Sequence, residues 1–165
     1  MNTLKLTTLI LCALFTLSAC EKDNDDARVY RATLTLNAQQ EVPTNPSTAT
    51  GTAVVDYDQK TSYLNYTVEW SGLTDTLRLM HIHGFADPGV NAGVIQNIIT
   101  PGSVSGGATL YNPGPAFVKS GKITGRLLID GSVVKESDLL AGKLYFNIHS
   151  KTYPGGEIRA QIILQ

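Results

Sequence analysis

His81 and His83, one residue apart in LMHIHGFADPG (79–89), and His149, near the end of KLYFNIHS (143–150), are the chain's three histidines. Their type and spacing suit one chemistry above others. Imidazole nitrogens are good ligands for copper, zinc or nickel. Three of them leave a fourth position where zinc activates water or copper changes oxidation state. An H-x-H pair alone is a weak pattern, and its plain alternative is two partly solvated rings bonded to carbonyls of the GFADPG loop.

Whether the three rings meet depends on the elements that carry them. Alternation in TLRLMHIHG puts His81 and His83 on one strand face and Ile82 on the other. In KLYFNIH it sets Leu144, Phe146 and Ile148 against Tyr145, Asn147 and His149. With Ile82 and Ile148 facing the core, all three histidines lie outside it. Opposite residues on neighbouring strands have Cβ atoms roughly 5 Å apart, close enough to gather the rings.

A working site needs partners for those rings. Asp87 and Asn147 are candidates to fix their tautomers, and Arg159 is a candidate to guide an anion. Each has a plain reading too. Asp87 precedes Pro88 and Gly89 and suits a turn, Asn147 suits a backbone bond, and Arg159 suits a surface pair with Glu41 or Glu157.

The rest of the chain is rich in strand signals. RVYRATLTLNA, GTAVVDYD, SYLNYTVEW, GVIQNII, GKITGRLLI and GEIRAQIIL have the length and alternation of half-buried strands. DQKT and SGLTD read as turns, and Ser137 before DLLAG reads as the cap of one helical turn that Gly142 ends. Residues 101–115, rich in Gly and Pro, are expected to be locally disordered. The expected fold is all-β, an antiparallel Greek-key-like sandwich or barrel of about eight or nine strands.

The first residues fix the compartment. MNTLKLTTLILCALFTLSAC has the layout of a secretory signal, too short for a stop-transfer span. Its LSAC end resembles a bacterial lipobox, which implies acylation of Cys20 and loss of residues 1–19. Cys12 then leaves with the signal, and no thiol remains in the folded part for a disulfide or a metal. Residues 20–27, the acylated Cys and an acidic stretch, form a solvated tether that also resembles a surface-export signal. Lipid on Cys20 makes the membrane a partner, and the expected place is the outer membrane, either face. Residues 28–165 are one domain by length.

Composition excludes some functions. A formal net charge of −1 and the lack of a basic stripe give no warrant for nucleic-acid binding. There is no Gly-x-Ser-x-Gly, phosphate loop or H-E-x-x-H, and the carboxylates sit at apparent turns. Tyr57, Tyr63, Tyr66 and Trp70 would suit a glycan platform, but in strands they more often pack.

Four stretches in order resemble the CHRD domain, the module named for chordin: NAQQEVP (37–43), YLNYTVEWSGLT (63–74), HIHGFADPGVNAGVI (81–95) and LLAGKLYFNIHSKTYPGGEIRAQI (139–162). Residues 96–125 depart from the short spacer of bacterial members. The resemblance implies a β fold and an extracytoplasmic setting, and brings no catalytic residue with it. HIHGFAD and NIHSKTYPGGEIRA are also similar to segments of copper-zinc superoxide dismutase. That similarity implies His81, His83 and His149 as three copper ligands and Arg159 near an anion-guiding arginine. It supplies no bridging histidine, and Gly84 replaces an acidic residue, so a dinuclear site is not available. The sequence therefore points to a non-enzymatic binding or structural module at the cell envelope, taking a protein, glycan or metal ligand. The alternative is a mononuclear three-His copper or zinc protein.

Overall fold

The computed structural model describes residues 27–100 and 119–165, with the backbone of 103–104 and 109–111. The signal and all but the last residue of the tether lie outside the described residues.

Ten antiparallel strands form one sheet: β1 (Val29–Asn37), β2 (Thr50–Asp58), β3 (Tyr63–Ser71), β4 (Leu77–His83), β5 (Val94–Thr100), β6 (Ser103–Val104), β7 (Thr109–Tyr111), β8 (Gly121–Leu128), β9 (Tyr145–Ser150) and β10 (Ile158–Gln161). Their order is β6-β5-β4-β9-β10-β1-β2-β3-β8-β7. The all-β expectation holds, with β6 and β7 as two short additions. These two lie inside residues 101–115, where disorder was expected. The rest of that stretch lies outside the described residues.

Alternation explains why these segments are strands. In β2 and β3, Ala53, Val55, Tyr57, Leu64, Tyr66, Val68 and Trp70 point inward. Tyr57, Tyr66 and Trp70 are thereby core residues, and Tyr63 carries the Arg126 guanidinium 4.3 Å from its ring centroid. The aromatics pack as strand residues and make no exposed platform. At the hairpin tip, Asp58 accepts hydrogen bonds from the Lys60 and Ser62 backbone N–H groups, and Ser62 takes φ 58°.

The sheet curls until its ends approach. Tyr66 packs edge-on against Phe146 of β9, 5.4 Å between centroids. Gln96 of β5 donates to the Arg126 carbonyl of β8 at 2.8 Å. The result is a nearly closed barrel, with β3 to β4 and β8 to β9 as crossing connections and the consecutive strands β6 and β7 at its two edges.

A short α-helix, α1 (Glu136–Leu140), precedes β9. It starts earlier than the sequence suggests. Lys135 holds the N-cap position without a side-chain bond, so Ser137 lies inside the helix and caps nothing. Gly142, at φ 68°, ends the turn as expected.

Strands β9 and β10 differ from the others in being buried on both faces. Leu144, Phe146 and Ile148 fill the barrel. Tyr145, Asn147 and His149 face outward, yet loops cover them. Two side chains hold those loops down. Glu157 Oε1 accepts from Ser47 Oγ at 2.6 Å and from the Thr74 N–H at 2.7 Å. Gln161 donates to the carbonyls of Ala86 and Gly142.

Candidate metal centre

The register of β4, β9 and β10 sets polar residues in rows across the outer face. His149 pairs with Leu79, His81 with Asn147, and His83 with Tyr145. On the other side of β9, Asn147 pairs with Arg159 and Tyr145 with Gln161. These rows form a second, polar layer between the barrel wall and the covering loops.

The three histidines converge in that layer. Their relative exposures are 6%, 9% and 6% for His81, His83 and His149. One ring nitrogen from each lies within 4.8 Å of the others. Ring centroids are 4.9 Å apart for His81 and His149, 5.3 Å for His81 and His83, and 6.1 Å for His83 and His149. The partial solvation of the plain alternative is not found, because the loops that carry Ala92 and Pro154 close on the rings.

Hydrogen bonds settle two of the tautomers. His83 Nδ1 lies 2.9 Å from the Ala92 carbonyl, and His149 Nδ1 lies 3.0 Å from the Pro154 carbonyl. A carbonyl only accepts, so both Nδ1 atoms carry the proton and both Nε2 atoms present lone pairs. His149 Nε2 faces His81 Nδ1 at 3.1 Å. His83 Nε2 is buried and has no hydrogen-bond partner.

The rings are also held neutral. Burial, followed by the charges of His149 and His83, lowers His81 to about 4. Burial is likewise the largest cause lowering His83 and His149. Metal ligation requires unprotonated nitrogen, so near neutral pH these rings are ready to bind.

Of the other residues nominated from the sequence, Asp87 does not reach the rings. It is exposed, and its backbone carbonyl accepts from the Val90 N–H in a turn. The tautomers are set by backbone carbonyls instead. Asn147 sits beside His81 in the register but donates to Glu41 Oε2 at 3.3 Å. Arg159 is not the surface ion pair that its plain reading gives. It is 1% exposed and donates to the Val90 carbonyl, Asn91 Oδ1 and Gln161 Oε1. Its guanidinium lies 3.4 Å from the Tyr145 ring centroid and forms part of the wall of a cleft of about 410 Å³ that Glu41, Val42 and Pro88 also line.

The sequence reading gave no role to Tyr145 or Gln161 and placed Glu41 at the surface. Tyr145 stacks on His83 at 4.9 Å and 5° between planes, and its hydroxyl accepts from the Ala92 N–H at 2.9 Å. It thus braces both the ring and the residue that takes the His83 proton. Glu41 is buried against Asn147, and burial raises it to about 7 despite the lowering by Arg159 and Asn147. Gln161 fastens the loop above. Parity was the available signal, since Tyr145 lies two residues from Asn147, and Gln161 two from Arg159.

A barrel with three neutral imidazoles in a covered polar layer defines a β module with a candidate mononuclear metal centre. A family model for the CHRD domain matches residues 32–162, and the chain belongs to that family. No curated protein and no solved structure matches the chain.

Proposed function

We propose that this CHRD protein is a lipid-anchored protein of the cell envelope whose domain holds one copper or zinc ion on His81 Nδ1, His83 Nε2 and His149 Nε2. The role is binding rather than catalysis. The observation that carries it is the buried, partnerless His83 Nε2 in a cluster where one ring nitrogen of each histidine lies within 4.8 Å of the others. Leaving a buried polar group unsatisfied costs about 1–3 kcal/mol. An ion among the three rings supplies that missing partner. Zinc takes imidazole nitrogen at about 2.0–2.1 Å, so the rings must draw together from a spacing of up to 4.8 Å to share one ion.

Burial of all three rings suits holding an ion more than admitting a substrate. No Cys, Asp or Glu belongs to the ligand cluster among the described residues. Anchoring rests on the LSAC stretch and the acidic residues after it, with acylated Cys20 holding the domain at the outer membrane.

The test is metal analysis by mass spectrometry. The full chain is purified in detergent, exposed to copper or zinc and dialysed, beside a triple variant with His81, His83 and His149 changed to Ala. Close to one equivalent in the wild type and none in the folded variant supports the reading. Equal retention in both, or none in either, removes it. Separately, Cys20→Ala should move the protein from the membrane fraction to the soluble one.

A further inference from the structure

We infer that the three-imidazole centre selects monovalent copper over divalent ions, and that the buried guanidinium of Arg159 is the selecting charge. The inference rests on the metal-binding reading above and adds to it the identity of the ion.

Imidazole donors alone do not make this choice, because they suit zinc and divalent copper as well as monovalent copper. The surroundings decide. The ligand cluster contains only neutral histidines among the described residues, so the charge of the ion enters a buried site with no anionic ligand to offset it. The solvation lost by a buried ion grows with the square of its charge, which penalises a divalent ion about four times as heavily as a monovalent one.

Arg159 adds to that penalty. Its charge is permanent over the working pH range. It is 1% exposed, so water screens it little. It comes from β10, its guanidinium lies 3.4 Å from the Tyr145 ring centroid on β9, and that ring stacks on His83 of β4. Its side-chain hydrogen bonds go to neutral oxygens of Val90, Asn91 and Gln161; the Glu41 carboxyl in the same cleft attracts it electrostatically but makes no ion pair with it among the described residues, so its charge is only partly offset. A cation is therefore fixed behind one of the three ligand rings. Coordination number does not add to the choice. Here it is neutral, because zinc takes three imidazoles with a water in the fourth position as readily as copper takes the three alone, so the selection rests on charge.

The experiment uses the full chain in detergent under anaerobic conditions. Monovalent copper is titrated in competition with a chromophoric chelator, and then challenged with zinc. Divalent copper is measured separately by dialysis. The expected wild-type result is one monovalent copper that a hundredfold excess of zinc does not displace. Arg159→Gln, shown folded by circular dichroism, should narrow the preference over zinc at least tenfold through tighter zinc binding. Arg159→Lys, which keeps the charge, should retain it. Zinc or divalent copper held as tightly as monovalent copper by the wild type overturns the inference and leaves the metal site standing. So does a folded Arg159→Gln with an unchanged ratio. A wild type that holds none of the three ions overturns both. Should the Arg159 variants not fold, the wild-type comparison decides by itself.

Discussion

His81 Nδ1 and His149 Nε2 face each other at 3.1 Å. Because the Pro154 carbonyl fixes the proton of His149 on Nδ1, its Nε2 is an acceptor, and His81 must donate from Nδ1. An ion bound to both atoms removes that proton from between them. Metal uptake therefore carries a tautomer change at His81, from Nδ1–H to Nε2–H, and none at His83 or His149. Long-range nitrogen–proton NMR spectra of the metal-free and metal-loaded protein read this directly. Finding His149 protonated on Nε2 in the metal-free protein defeats the assignment.

Stability should depend on pH through two opposed kinds of group, the three histidines that burial lowers and Glu41, which it raises. His81 takes its proton at about 4 in the fold against an ordinary 6.5. The unfolded chain binds more protons between those values, so this contribution is full above 6.5 and lost as pH falls toward 4. Glu41 is raised from 4.5 to about 7, so the folded chain binds more protons there and its contribution is lost as pH rises through that window. Glu41→Gln removes the second effect. Its melting temperature relative to wild type should rise by a few degrees between about pH 5 and pH 8. A difference that is flat or falls with pH contradicts the placement of Glu41.

The loop over His149 turns on Gly156, at φ 133°. A Cβ there meets Asn147 Oδ1 and Glu41 Oε2 at 2.6 Å each. Gly156→Ala should cost about 1–3 kcal/mol by backbone strain and crowding. Denaturant titration measures the loss. Retained stability would mean that residues 151–156 do not close on the layer as described.

The parity of two strands was enough to place His81, His83 and His149 on one face, because a period of two leaves a strand little choice. Parity could not show that this face is covered. Burial of Tyr145, Asn147 and His149 depends on loops whose closure rests on Glu157, Arg159 and Gln161 reaching particular backbone groups. Those partners are distant in sequence and leave no local pattern. For the same reason the sequence offered Asp87 and Asn147 as candidate orienters, whereas the carbonyls of Ala92 and Pro154 hold the rings, since any residue type supplies a carbonyl.

Tyr145 braces His83 in two ways that substitution can separate. Tyr145→Phe keeps the ring that stacks on His83 and removes the hydroxyl that accepts from the Ala92 N–H. The Ala92 carbonyl, which holds the His83 Nδ1–H, then loses one of its restraints. Groups that orient a metal-binding histidine typically contribute about 10–100-fold in affinity. Because Tyr145 acts one residue further out, Tyr145→Phe should weaken metal binding by about tenfold, at the low end of that range, while Tyr145→Leu, which also loses the stack, should weaken it further. Chelator competition gives the affinities, and circular dichroism checks that both variants fold. Affinity unchanged in Tyr145→Phe but reduced in Tyr145→Leu would assign the effect to the stacked ring alone and remove the hydroxyl from the account.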